Sequence, residues 1–129
     1  MSLGTEWVID ATGCDAAALA NIEQLRPVFE RLIRDLDLHV LGEIAWHQFA
    51  PPGGVSGIAL LSESHLTCHT YPEFRAATFN LYCCRERVIW PWKTMLAEMI
   101  GATDVTVRVC ERLLNIEEPA LEELGHWAR

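Results

Sequence analysis

Basic residues are scarce in this sequence: 10 Lys and Arg stand against 18 Asp and Glu, a net charge of −8 at pH 7. That balance argues against a nucleic-acid binder, which needs basic patches to neutralise phosphates. It favours cationic small molecules only weakly, because surface charge mostly serves solubility. Long apolar runs are missing too, and none reaches the roughly 18 residues that a membrane helix requires. Met1 to Asp10 has no basic stretch leading into an apolar one, so no secretory signal and a cytoplasmic location are expected. The five cysteines, Cys14, Cys68, Cys83, Cys84 and Cys110, contain no CxxC pair, which argues against a structural zinc site. Their odd number, without an export signal, reads as reduced thiols that are mostly buried as small hydrophobes. Linkers and low-complexity stretches are also absent. With half of its 129 residues hydrophobic, the chain suits one domain over residues 1–129 that buries about two-thirds of its unfolded surface.

The periodicities give an order of elements. Glu6 to Asp10 alternates and reads as a strand, and Thr12 to Asp15 supplies turn and N-cap chemistry. Apolar residues at three- and four-residue steps, from Leu19 through Phe29 to Leu36, predict a helix over Ala16 to Leu36, with a kink at Pro27. Val40 to Phe49 reads as a strand, and the Pro51-Pro52-Gly53-Gly54 run breaks it. Val55 to Leu61 and Leu66 to Tyr71 are strand-like, either two strands or one bent one. Ala76 to Cys84 follows as another strand. Pro91 sits where a helix would start, Trp92 to Ile100 continues it and Gly101 ends it. Val105 to Val109 is a last strand, and Ile116 to Arg129 is expected to form a short helix. Two helices beside a mainly antiparallel sheet predict a two-layer α+β sandwich with both main helices on one face.

The chemistry concentrates between Gly54 and Cys84. The chain reads Gly-Val-Ser-Gly at 54–57, Ser-Glu-Ser-His at 62–65 and His-Thr-Tyr-Pro-Glu at 69–73. Strand alternation lets His65, Thr67 and His69 point the same way. Singly, such residues at a turn are ordinary solvated groups. His65 and His69 are spaced as HxxxH, but that spacing aligns metal ligands on a helix, and the segment reads as strand. Glu73 would have to serve as a third ligand, so no metal is expected. A Ser-His hydrolase would want a GxSxG elbow, which is lacking.

Taken together, these strings resemble the self-cleavage region of the bacterial and archaeal S-adenosylmethionine decarboxylases. Gly-Val-Ser-Gly, Ser-Glu-Ser-His, His-Thr-Tyr-Pro-Glu and the cysteine at 84 match in order and spacing. The likeness is sharpest over residues 54–84 and looser from about Trp7 to Val109. It implies a lyase made as a zymogen. Ser64 attacks the Glu63 carbonyl, and the chain splits into a β chain of residues 1–63 and an α chain of residues 64–129. A pyruvoyl cofactor is left at residue 64. Its ketone forms a Schiff base with the substrate amine and supplies the electron sink that ordinary side chains lack. The resemblance assigns His69, helped by Ser56, to proton transfer during processing, which suits a histidine. It assigns Cys84 to protonating the substrate carbon, and alternation sends adjacent Cys83 to the other face. Glu73 would accept hydrogen bonds from ribose hydroxyls, and Phe49 and Tyr71 would sandwich adenine, although core packing is a competing use for both rings. A homodimer of αβ protomers is implied as well.

The likeness departs at several positions. Where the family has Tyr-Gly-Tyr-Ala-Ala and then an aspartate two residues on, this chain has Phe74-Arg75-Ala76-Ala77-Thr78 and Asn80. Phe-Thr-Cys-Gly becomes Tyr82-Cys83-Cys84-Arg85, Tyr71 replaces a common Trp, and the Pro51–Gly54 loop has an extra residue. The processing residues are kept, and the changes are expected to fall on the rim of the substrate pocket. Retention of Glu73 and of two aromatics makes S-adenosylmethionine the first expected substrate, on the path to spermidine. Arginine or ornithine, taken by relatives with the same pyruvoyl group, is the alternative, because a carboxylate also holds a guanidinium or ammonium. A non-catalytic regulatory homologue is the third reading, and retention of Ser64 argues against it.

Overall fold

The computed structural model describes residues 1–62, 64–85 and 88–117. Strands β1 (Ser2–Thr12), β2 (Ala45–Gln48), β3 (Val55–Leu61), β4 (Ser64–Tyr71), β5 (Ala76–Cys83) and β6 (Asp104–Leu113) form one sheet in the order β2-β3-β4-β5-β1-β6. Every neighbouring pair is antiparallel. Helices α1 (Ala16–Leu19), α2 (Ile22–Asp35) and α3 (Trp92–Ile100) complete the α+β architecture. Burial alternates residue by residue along β3 and β5, so one face of the sheet is covered and the other open. Val28, Phe29 and Leu32 of α2 and Trp92, Leu96 and Ile100 of α3 share one buried cluster with Ile9, Ala59, Leu66 and Phe79 of the sheet. Each Val, Leu, Ile or Phe side chain among them contributes about 1.5–3 kcal/mol when fully buried. No helix of the described residues is long and apolar enough to cross a membrane.

Local chemistry moves several boundaries from where periodicity puts them. The expected helix over 16–36 is two helices. Asp15 caps α1 by accepting from the Ala17 N–H at 3.1 Å, and Asn21 caps α2 by accepting from the Glu23 N–H at 2.9 Å. Apolar spacing runs through this junction, so only the Asn marks it. Pro27 lies within α2 without ending it. The strand expected over 40–49 shrinks to Ala45–Gln48, with Val40 left as an isolated bridge to Leu61. Gly42, at φ 75°, turns the chain between them. Pro91 is the residue before α3 rather than its first, and Gly101 does end that helix. Strand β6 runs four residues past Val109, to Leu113. Ile116 and Glu117 are not helical, and the rest of the expected terminal helix lies outside the described residues.

Two side-chain-bearing residues among those described, Asp37 and Arg75, have positive φ. Arg75 sits in the left-handed region, at φ 51° and ψ 39°, where the family resemblance expects glycine. It is fixed there because its N–H donates to the Pro72 carbonyl at 3.1 Å and its own carbonyl accepts from the Cys14 N–H at 3.0 Å. The conformation costs a side-chain-bearing residue about 1–2 kcal/mol, while glycine's extra unfolded freedom offsets about 0.5–1 kcal/mol. Arg75→Gly is therefore expected to stabilise the fold by about 0.5–1 kcal/mol. The measurement is the urea midpoint at unchanged slope, and a midpoint that falls contradicts the strain.

Candidate active site

The candidate residues lie on the hairpin of β3 and β4 and on β5 beside it. Two glycines of the 54–57 motif shape this region. A Cβ on Gly54 would lie 2.6 Å from the Thr70 carbonyl oxygen, and one on Gly57 would lie 2.5 Å from the Trp46 ring. Glycine lets Trp46 lie across β3 and pack tilted against Phe29, with ring centroids 4.8 Å apart and planes at 43°. Ser56, between the two glycines, projects onto the open face.

There Ser56 stands directly opposite His69 in the β3–β4 register. Its Oγ lies 2.7 Å from His69 Nδ1, a distance at which a proton passes readily. Ser56 and His69 share an open pocket of about 300 Å³ with Phe49, Gly54, Tyr71 and Glu73. Five of the sequence-predicted residues thus meet at one place: Phe49, Ser56, His69, Tyr71 and Glu73. Phe49 and Tyr71 are both exposed rather than packed in the core. His47 holds the Phe49 ring edge-on at 4.5 Å.

Ser64 and Cys84 lie elsewhere. Ser64 begins β4, facing Leu61 on one side and Cys83 on the other. Its Oγ donates to the Ser62 carbonyl at 3.4 Å, so the hydroxyl folds back over the preceding turn. His69 is five residues further along the same strand, which at 3.3–3.4 Å per residue is about 17 Å away. The two also occupy opposite faces, since five is an odd step. Within one chain, then, the Ser56–His69 pair and Ser64 do not meet. Sequence spacing concealed this, because a short separation along the chain is a long one in extended conformation. Glu63 lies outside the described residues.

The cysteines divide clearly. Cys83 is 1% exposed and belongs to the core, whereas Cys84, just beyond the end of β5, is exposed. Burial pushes the Cys68 thiol up to about 12 and raises that of Cys14 as well, so neither forms a thiolate near neutrality. The departures expected on the pocket rim are there only in part. Tyr71 and the 51–54 loop, through Pro52 and Gly54, line the pocket, whereas Arg75 and Asn80 do not. Asn80 instead belongs to a group that sequence reasoning missed. His65 Nε2 lies 3.0 Å from Asn80 Oδ1, and Asn80 Nδ2 donates to Glu6 Oε2 at 2.7 Å. The parity of strand positions could have put Glu6, His65 and Asn80 on one face, but only the register brings them together.

A family model described as S-adenosylmethionine decarboxylase matches residues 5–113. The S-adenosylmethionine decarboxylase proenzyme of Caldicellulosiruptor saccharolyticus is 36% identical over 120 residues, covering 92% of this chain and 94% of that protein. The proenzyme of Carboxydothermus hydrogenoformans is 30% identical over 118 residues, covering 91% of each. Among solved structures, the adenosylmethionine decarboxylase of Aquifex aeolicus matches with a TM-score of 0.74 at 27% identity, over 92% of this chain and 98% of that one.

The pair's footing is Thr70, a buried polar residue next to His69. Its Oγ1 donates to the Leu19 carbonyl at 2.6 Å and accepts from the Val55 N–H at 2.9 Å, tying α1 to the strand that carries Ser56. Thr70→Val keeps the shape and strands both backbone groups. A lost buried partner costs about 1–3 kcal/mol, so a loss of about 2 kcal/mol is expected in urea unfolding at fixed protein concentration. A change under about 0.5 kcal/mol, the size of an ordinary surface substitution, would show that Thr70 ties nothing.

Proposed function

The chain belongs to the S-adenosylmethionine decarboxylase family, and from that premise we propose that it is a self-cleaving proenzyme whose mature form decarboxylates S-adenosylmethionine. Its product would be the aminopropyl donor of polyamine synthesis, and a cytoplasmic location suits that role. The observation that carries this reading is the pocket. The Ser56–His69 pair, at 2.7 Å, opens onto the same space as two exposed aromatic rings and a carboxylate. Phe49 and Tyr71 bracket the adenine, and Glu73 accepts from the ribose hydroxyls. Flat faces suit a base, and a carboxylate suits a diol.

Processing starts at Ser64. Its Oγ bonds to the Glu63 carbonyl carbon as the peptide C–N bond breaks, which leaves an ester and a free amine on residue 64. Loss of the residue 64 α-proton expels Glu63 as a carboxylate. Water then replaces the nitrogen, which leaves as ammonia. The resulting pyruvoyl group supplies the ketone that acts as electron sink for decarboxylation. Cys84 Sγ delivers a proton to the carbon that has lost carbon dioxide.

These proton transfers need His69 within hydrogen-bond reach, and about 17 Å of strand separates it from its own Ser64. The reading is completed by a second copy. In a homodimer of αβ protomers, a two-fold axis that brings His69 of one copy to Ser64 of the other does the reverse at the same time, so two identical sites form. Because the Ser64 side chain lies on the face opposite His69, the partner reaches it around the start of β4, while the open face supplies apolar surface to bury, with Ile58 50% and Leu60 59% exposed.

Two expectations follow from this arrangement. Ser64→Ala and His69→Ala are each expected to stay largely uncleaved when made alone. Co-expressed, they should complement, since the Ser64→Ala copy supplies His69 to the Ser64 of the other copy. Intact-mass analysis of the mixed protein should then find the His69→Ala chain cut between residues 63 and 64. A mixture as uncleaved as its parents would remove the shared site.

The late steps should separate from cleavage. Cys84→Ala should cleave fully yet decarboxylate about 100-fold or more slowly, the usual contribution of a positioned acid, whereas Cys83→Ala should keep its kcat. Phe49→Ala should cleave fully but lose about 1–3 kcal/mol of base stacking, roughly tenfold or more in kcat/KM for S-adenosylmethionine. Carbon dioxide release from S-adenosylmethionine, arginine and ornithine decides the substrate. A higher kcat/KM for either amino acid rejects S-adenosylmethionine and leaves the cleavage chemistry standing.

A further inference from the structure

A second polar cluster lies on the open face, at the Ser64 end of the sheet. His65, Asn80 and Glu6 come from three neighbouring strands, β4, β5 and β1, bonded in series at 3.0 and 2.7 Å. Arg112 of β6 approaches the other oxygen of Glu6 at 3.7 Å. The Tyr82 ring stacks on His65 with centroids 5.7 Å apart and planes 28° apart. His65, Glu6, Tyr82 and Arg112, with Leu3 and Leu114, line a cavity of about 300 Å³. The nucleoside pocket shares none of these residues.

The direction of each bond follows from chemistry. An ionised Glu6 can only accept, so Asn80 must turn its NH2 group to it. The Asn80 carbonyl then faces His65, so Nε2 of His65 carries the hydrogen. Cleavage changes what this series connects. His65 becomes the second residue of a new chain, directly behind the reactive group, and chain termini fray unless tied down. Glu6 would belong to the other product, residues 1–63, so the Glu6–Asn80 bond would span the two pieces.

Resting on the decarboxylase reading, we propose that Asn80 is a positioning residue that holds His65, and with it the reactive N-terminus at residue 64, against the sheet. An amide is needed at 80 because it accepts on one side and donates on the other. An aspartate, which the family resemblance expects there, would face Glu6 with a second negative charge. The titratable and charged groups around position 80 are Glu6 and Arg112, His65 and Tyr82, and Arg108, which is paired with Asp10 at 2.8 Å.

The test uses fully cleaved dimers of wild type, Asn80→Ala, Asn80→Asp and the double variant Glu6→Gln/Asn80→Asp. For each, cleavage is followed by intact mass, and kcat and KM for S-adenosylmethionine are measured from pH 6 to 9. Asn80→Ala is expected to lower kcat at least tenfold with KM within threefold, since small misplacements of a reacting group are costly in rate. Asn80→Asp should be impaired most at high pH and recover as pH falls. A proton shared between residues 6 and 80 restores the bridge, and like charges favour that proton. Glu6→Gln/Asn80→Asp reverses the bond: the new amide at position 6 donates, and the new carboxylate at position 80 accepts from both sides. It should return to within about threefold of wild type across the range. A simple packing role would not predict that rescue. If Asn80→Ala does not fold, the single and double aspartate variants decide the matter. Cleaved variants with wild-type kcat, or a double variant as impaired as Asn80→Asp, overturn the proposal. An uncleaved wild type would instead sink the decarboxylase reading itself.

Discussion

The pairing of β4 with its two neighbours controls everything else about the site. A strand held on both edges cannot bend, so each residue's height and face are set by counting. Ser64 at one end and His69 toward the other are bonded on one side to β3 and on the other to β5. The hydrogen bonds that place Ser56 against His69 are the same ladder that keeps both away from Ser64. A site that needs all three must therefore be assembled from more than one sheet. The open face, uncovered by any helix among the described residues, is where a second sheet can lie.

The same rigidity separates structural from chemical residues within each motif. In 54–57 the glycines clear space for the Thr70 carbonyl and the Trp46 ring, and Ser56 alone presents a functional group to the pocket. In 69–73, His69, Tyr71 and Glu73 reach the pocket's open side, Thr70 ties the strand to α1 and Pro72 is buried. Alternation explains this division as far as Tyr71, where β4 ends, because a strand with one covered face gives every second residue to the core; Pro72 and Glu73 follow in a 3-10 turn. Cys83 and Cys84 differ for a further reason: Cys83 is the last core-facing residue of β5, and Cys84 lies just past the strand's end, exposed.

Much of this was legible in the sequence. The spans of β3 and α3 agree with their apolar patterns, and the pocket residues were selected by a resemblance that carried their spacing with it. What was illegible has two physical causes. Boundaries set by a single cap or a left-handed residue, such as Asn21 and Gly42, leave the hydrophobic period almost unchanged, so periodicity reads through them. Contacts between strands distant in sequence depend on register, which no single strand encodes. Glu6 and Asn80 are 74 residues apart and bonded; Ser64 and His69 are five apart and unable to touch.

The departures from the family pattern acquire a different meaning once they are located. Asn80, Tyr82 and Cys83 lie where β5 passes the first residues of β4, whereas Ala76 and Thr78 stand opposite Tyr71 and His69, and the 51–54 loop lines the pocket with Pro52 and Gly54. Arg75 occupies a turn whose requirement is conformational, not chemical. The pocket keeps an aromatic pair and a carboxylate, with Tyr71 offering a flat face where Trp is common. A change of substrate that dispensed with the base would relieve selection on Phe49, Tyr71 and Glu73 first, since a small amino acid has no use for stacking surface. These three side chains instead remain together around one space, while the departures are spread over its rim and the strand beside it. Flat ring faces and a carboxylate gathered on one space suit a base and a diol better than a small amino acid, which would leave both rings unused.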